Sequence, residues 1–407
     1  MKKLLLLSAL VLIAVICITK IDIQINFGKE TKTIINKTES QTPLMEFNAK
    51  PVALKSAGES NIQVALLLDT SNSMDGLIDQ AKSQLWKMVN ELALAKDQEG
   101  NIPNLQIALY EYGNDNLSSR DGYIRQIAPM TTDLDLVSEK LFAMTTYGGE
   151  EYCGHVIQTA TKDLQWSDSN KDLKIIFIAG NEPFTQGNVD YKKSCKAAIE
   201  QGIIVNTIYC GDYEEGISTQ WKDGADLADG KYIHINQNEA VVHIETPYDK
   251  EIGELNNKLN DTYIGYGSKG KAKKKRQSIQ DSNASSYGSS NAAQRVVSKS
   301  SAAYKNSDWD LVDAVEESAV EVEELEEDAL PEEMKKMDKD ERKGFIETKA
   351  KERKEVQAKI QELSKKRREY ETAERAKTAT EGESTLDDAM IGTIREQAKT
   401  KSYKFKE

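Results

Sequence analysis

Val64-Ala65-Leu66-Leu67-Leu68-Asp69-Thr70-Ser71-Asn72-Ser73 sets five apolar residues directly before a carboxylate and two serine hydroxyls. A run this short and this apolar fits a strand buried on both faces, as in the middle of a parallel sheet. Asp69 then stands where the strand ends, and an open parallel sheet binds its ligands outside the carboxyl ends of its strands. A hard divalent cation takes a few oxygen ligands and completes its shell with water. The spacing Asp-x-Ser-x-Ser suits such an ion, because residues two apart in a tight loop can turn toward one point. The competing reading is a plain helix start, with Ser71 or Ser73 capping a helix near Met74 and the helix dipole favouring Asp69.

Outward from this stretch the apolar period keeps switching. Gly76 to Leu94 has helical spacing through Leu77, Ala81, Leu85, Met88 and Leu92. Leu105 to Tyr110 reads as the next strand and Gly122 to Ile127 as its shorter neighbour, followed by helices at Leu134 to Met144 and His155 to Leu164. Leu173 to Ala179 is as apolar as the first strand and belongs at the centre of the sheet. Asp190 to Gln201 forms a helix that stops before Gly202. A strand at Ile203 to Tyr209, a helix at Thr219 to Ala228 and a short strand at Lys231 to Ile235 complete the alternation. It predicts a doubly wound α/β fold, a mostly parallel Rossmann-like sheet with right-handed crossovers.

The Asp-x-Ser-x-Ser stretch after the first strand resembles the metal-ion-dependent adhesion site of the von Willebrand factor A family, as found in exported bacterial proteins. The likeness runs over roughly residues 60 to 245. The resemblance implies cation-dependent recognition of another protein, at a site completed by a Thr from a second loop and an Asp after the central strand. In this chain the second loop corresponds to Tyr147-Gly148-Gly149-Glu150-Glu151-Tyr152-Cys153-Gly154, with acidic side chains where the hydroxyl is expected. The expected Asp falls at Gly180, which leaves Glu182, or the carbonyl oxygen of Asn181, to reach the ion. The candidate metal ligands are therefore Asp69, Ser71, Ser73, Glu150, Glu151 and Glu182, for Mg²⁺ first and Mn²⁺ or Ca²⁺ as alternatives. Added carboxylates hold a cation more tightly and leave it a weaker Lewis acid.

Met1 to Ile18 opens with Lys2-Lys3 and continues through an apolar run broken only by Ser8, the pattern of an export signal. It places the protein in the periplasm or cell envelope, by a cleaved signal, a retained membrane tether or a lipid on Cys17. Cys153, Cys195 and Cys210 follow. In an oxidising compartment Cys153 and Cys210, expected at one end of the sheet, are the candidate disulfide, with three buried free thiols as the alternative. The net charge of −13 argues against nonspecific binding to nucleic acid or anionic lipid.

With 39% hydrophobic and 30% charged residues, the apolar ones concentrated before about residue 265, the composition supports one folded domain. The chain divides into a signal or anchor at 1–20, a linker at 21–60, the α/β domain at 61–245, a helical extension and low-complexity linker at 246–309, and a charged, helix-rich tail at 310–407. From Tyr266 onward, the basic run Lys269 to Arg276 and the Ser, Asn, Gln and Ala after it predict disorder. Trp309, Leu311 and Val312 form a small apolar knot able to dock back on the domain. Glu341 to Ala376 is helix-forming and predicted to be a single solvated helix. A coiled-coil seam through Ile346, Val356, Ile360, Leu363 and Tyr370 would support self-association, but Lys349, Arg353 and Arg367 interrupt it.

Enzymatic constellations are sparse. Cys153 and His155, two apart on a helix, do not face each other. His155, His234 and His243 are the three histidines, and Gly265-Tyr266-Gly267 is not followed by the adjoining Lys and Ser/Thr of a phosphate loop. These residues predict a non-enzymatic, cation-dependent protein-binding module of the envelope. The alternatives are a scaffold with an inert site and a partner-docking tail, and, behind it, a metal-dependent hydrolase built on Asp69.

Overall fold

β1 (Asn61–Asp69) is the strand expected of the opening stretch, buried at every position after Asn61. In the computed structural model, residues 60–237, 243–378 and 386–405 are described. The signal or anchor and the linker predicted before residue 60 lie outside them. After β1 come α1 (Asp75–Leu92), β2 (Ala95–Lys96), β3 (Asn104–Tyr112), β4 (Ile124–Thr131), α2 (Leu134–Phe142) and α3 (Cys153–Asp163). Then follow β5 (Leu173–Gly180), α4 (Tyr191–Glu200), β6 (Ile203–Tyr209), α5 (Tyr213–Ser218), α6 (Trp221–Asp226) and β7 (Tyr232–His234). Asp133 and Asp190 start α2 and α4 by accepting from the backbone N–H groups of Leu136 and Lys192, each at 2.9 Å.

Six strands form one sheet in the order β4-β3-β1-β5-β6-β7, parallel except for β4, which returns antiparallel to β3. The chain moves outward from β1 through β3 and β4, then restarts on the other side at β5. The order therefore reverses between β1 and β5, and the crevice at their carboxyl ends is where such a sheet takes a ligand. The register puts Asp69 opposite Tyr112 on one side, with Leu68 opposite Ala179 on the other. Alternation along β1 sends Val64, Leu66 and Leu68 to one core with Leu77, Leu85 and Val137. Ala65 and Leu67 face the other, with Val156, Ala160 and Ala198. Among the described residues no helix is long and apolar enough to cross a membrane.

The three thiols are free and buried. Cys153 and Cys195 belong to the second core and Cys210 to the first, so the candidate pair Cys153–Cys210 is separated by the sheet and the free-thiol alternative holds.

The disorder expected from Tyr266 is not found. The chain continues as α7 (Asp249–Asn260), α8 (Gly267–Ser286), α9 (Ser289–Lys299), α10 (Leu311–Glu316), α11 (Lys339–Thr378), α12 (Leu386–Thr400) and β8 (Lys404–Phe405). The polar residues of α8 and α9 are ordered because distant parts of the chain satisfy them. Gln280 accepts from Ser138 Oγ at 2.9 Å and Gln277 donates to Tyr304 Oη at 3.1 Å. Arg295, fully buried, pairs with Asp135 at 2.6 Å and Asp281 at 3.0 Å and lies 4.3 Å over the Trp86 ring of α1. Two members of the basic run meet acids of the α/β domain: Lys273 reaches Asp133 at 2.9 Å and Arg276 reaches Glu139 at 2.8 Å. Trp309 stacks on Tyr263 at 5.7 Å inside the first core, and Leu311 and Val312 are buried with Ile264 and Ile346.

Nor is α11 a solvated helix. Ile346, Arg353, Ile360 and Arg367 recur every seven residues and are all buried against the chain's own core. Two of the charges that seemed to interrupt the seam thus lie on it, and each has partners. Arg353 donates to Asp310 at 2.6 Å and to the Thr262 carbonyl at 2.7 Å, and Arg367 pairs with Asp249 and Glu371, both at 2.8 Å. At the end of the chain β8 pairs antiparallel with β2.

Candidate functional site

The site is the loop after β1 and what its neighbours bring to it. Asp69 is fully buried. One oxygen, Oδ1, accepts from the Ser71 backbone N–H at 2.7 Å, which folds the loop back over the strand end. Thr70 carries the sheet pairing one step further, its N–H donating to the Tyr112 carbonyl at 2.8 Å. The hydroxyls of Ser71 and Ser73 lie 3.2 Å apart, and Ser73 Oγ also lies 3.2 Å from Asn181 Nδ2. A short 3₁₀ turn, Asn72–Met74, leads into α1, and neither element takes a side-chain cap. The helix-start reading of Ser71 and Ser73 therefore has no capping hydrogen bond behind it, and both hydroxyls bond within the cluster instead.

Glu151 is the second carboxylate. It is buried, its backbone N–H donates to Gln186 Oε1 at 2.7 Å, and its side chain meets Asp69 beside Gly113. Gly113 has φ of 77°, and a Cβ there would stand 2.6 Å from Glu151 Cγ and 2.7 Å from Asp69 Oδ1. Only glycine leaves the two acids room. Gly180 does the same from β5: a Cβ would stand 2.5 Å from Tyr112 Oη and 3.1 Å from Asp69 Oδ2. Tyr112 is buried at the end of β3, donates to the Ala179 carbonyl at 2.9 Å, and is reached by Cys153 Sγ at 3.8 Å. The place where the family carries an Asp side chain is thus filled from below by a tyrosine hydroxyl.

The charge is uncompensated. Asp69 Oδ2 and Glu151 Oε2 are both buried without a hydrogen-bond partner. Burial raises the Asp69 carboxyl to about 7, opposed by hydrogen bonds from Ser71 and reinforced by Glu182. Burial, then the nearby Asp69 carboxyl, raises Glu151 to about 9. Two adjacent buried acids cannot both ionise without a counter-charge.

Of the six predicted ligands, the fold brings Asp69, Ser71, Ser73 and Glu151 together. Glu150 and Glu182 are exposed. Their charge reaches the buried pair, and the Glu182 backbone is pinned by Trp221 Nε1 at 2.8 Å, but neither side chain lies against it. Among the described residues no group of three or more His, Cys, Asp or Glu side chains is arranged to hold a metal. A cation in this cradle would depend on two carboxylates, two hydroxyls and water, a donor set that suits a hard ion. The unpartnered oxygens fit such an ion. Tyr112 was missed from the sequence, and its signal, a tyrosine facing Asp69, needs the β1/β3 register to be seen.

The von Willebrand factor type A domain family matches residues 63–220. No curated protein matches the chain. Among solved structures, the conserved hypothetical protein BatB from Bacteroides thetaiotaomicron is 17% identical, covering 43% of this chain and 90% of its own, with a TM-score of 0.33. An aerotolerance-related membrane protein from Bacteroides fragilis is 16% identical over 44% of this chain and 94% of its own, with a TM-score of 0.31. The vWF domain of the type V pili tip protein Mfa5 from Porphyromonas gingivalis is 12% identical over 44% and 91%, with a TM-score of 0.32. Sheet order, cradle position and family match agree: residues 63–220 are a von Willebrand factor type A domain.

Proposed function

We propose that this protein is a cation-dependent protein-binding module of the bacterial cell envelope, exported through its N-terminal segment. Asp69, Ser71, Ser73 and Glu151 hold the cation, Mg²⁺ by preference, while Glu150 and Glu182 add charge from the rim. The observation that carries this reading is the pair of buried carboxylate oxygens, Asp69 Oδ2 and Glu151 Oε2, without partners beside the hydroxyls of Ser71 and Ser73, which lie 3.2 Å apart. A buried acid pair of this kind is costly unless a counter-charge meets it. The domain family supports recognition of a protein. The scaffold alternative loses its docking surface, since the apolar face of α11 is spent within the chain.

Calorimetry of the full chain with Mg²⁺ and Mn²⁺ tests the cradle. Wild type should give heat and Asp69→Asn none, because Asn keeps the acceptor for Ser71 but removes a charge. A silent wild type, or equal heat from the variant, would sink the cation reading. Cross-linking capture from envelope extracts, run with both proteins, tests whether recognition passes through the same site.

A further inference from the structure

The loops at the carboxyl ends of the strands carry charge of nearly one sign. Segments 70–75, 113–123, 145–152, 181–190 and 210–215 contain ten Asp or Glu residues and one basic residue, Arg120. Asp115, Glu150, Glu182, Glu214 and Glu215 are exposed. No ion pair neutralises any of these five among the described residues, whereas exposed acids of the helices, such as Glu316 and Glu362, pair with Lys354 and Lys366. The acidic stretch 321–333 is charged too, but no buried acid without a partner stands behind it. Behind the strand-end face stand Asp69 Oδ2 and Glu151 Oε2. Two exposed tyrosines share the face: Tyr147, 54% exposed, from the second loop and Tyr213, 42% exposed, from the start of α5.

A bound divalent cation does not reverse this sign. Two carboxylates already balance its two charges, so the rim acids stay uncompensated with the cradle full. An acidic ligand approaching the ion would meet like charge on every side, which suppresses wrong partners, while a basic one is steered inward. Aromatic faces at the rim add cation–π contact with lysine or arginine.

We propose that the partner presents a lysine- or arginine-rich protein segment to this face, its cations meeting Asp115, Glu150, Glu182, Glu214 and Glu215 and its side chains lying against Tyr147 and Tyr213. This rests on the reading of the strand-end face as the binding surface. The test uses the full chain in Mg²⁺ buffer and two labelled peptides of equal length, a Lys-Ser repeat and a Glu-Ser repeat, followed by fluorescence anisotropy. The Lys-Ser peptide should bind, weaken as salt rises, and lose about ten-fold affinity to the variant Asp115→Asn/Glu214→Gln/Glu215→Gln. Preference for the Glu-Ser peptide, or undiminished Lys-Ser binding by the triple variant with its melting temperature unchanged, overturns the proposal. None of the three substituted residues belongs to the cation set, so Mg²⁺ heat reports on the cradle separately. If wild type gives no such heat yet binds the Lys-Ser peptide through these three acids, the cation reading falls and the basic partner stands.

Discussion

Gly180 and Tyr112 are a matched pair, each fixing what the other can be. A methyl group on Gly180 would meet the Tyr112 hydroxyl at 2.5 Å within a buried strand. Gly180→Ala should therefore cost about 1–3 kcal/mol in urea unfolding. In a Tyr112→Phe background the same change should cost clearly less, and a coupling near zero in the double-mutant cycle would refute the pairing. The acids make a second prediction. Folded Asp69 and Glu151 titrate near 7 and 9, and their unfolded values lie near 4, so between those limits the folded state holds protons the unfolded chain has released. Their contribution to stability is complete below about pH 4 and is lost as the pH rises through 7 and then 9. Cation-free protein should melt lower at pH 9 than at pH 6, excess Mg²⁺ should recover most of the loss, and Asp69→Asn should flatten the pH 4–7 portion. A wild-type melting curve indifferent to pH and Mg²⁺ would contradict the buried pair. At this scale Asp69 was legible, because a strand end can be read from one apolar run. The vacancy at Gly180 was legible too, but not its occupant, which is set by three strands lying side by side.

For single elements, the informative case is α11, whose seam alternates isoleucine and arginine. Arg353 lies 4.1 Å over the Tyr263 ring and holds Asp310 and Asp313, the latter raised to about 7 by burial and by Asp310 even with the arginine present. Arg353→Ala would strand those acids in the core and should cost about 3–5 kcal/mol. Lys354, one residue on, forms an exposed pair with Glu316 at 2.8 Å, and Lys354→Ala should stay within about 0.5 kcal/mol. Chemical denaturation of the two variants measures the contrast, and similar losses would mean that the seam is not held by its arginines. The strands were readable because their pattern is local. The seam was not, since an arginine interrupts an apolar stripe unless its carboxylates, here at 249, 310 and 313, are known to arrive from elsewhere.

The same cause operates on the whole molecule, where the segment read as linker and tail is instead part of the fold. α1 is covered from outside by α9 and α12: Arg295 lies over Trp86, Asn90 Nδ2 donates to the Gln294 carbonyl at 2.9 Å, and Arg395 pairs with Glu91. The last residues close the opposite end of the sheet from the cradle, with the side-chain amides of Gln397 and Asn206 bonded reciprocally at 2.7 and 3.1 Å and Tyr403 Oη donating to the Asn61 carbonyl at 3.1 Å. A domain cut at residue 245 would bare Trp86 and the apolar residues around it, a patch large enough to drive association. It should express poorly or bind a hydrophobic dye, although it contains the whole sheet. A shorter cut, removing residues 386–407, leaves the buried Asn206 Nδ2 without its partner and bares the part of the first core that Ile394, Ala398 and Tyr403 cover, so it should lower stability by more than the about 1–3 kcal/mol of one unpaired buried group while the chain still folds. Thermal melts of the full chain and both truncations, with dye binding measured alongside, decide the matter. A monomeric, dye-silent fragment ending at 245 with the full chain's melting temperature would show that the extension rides on the domain without supporting it.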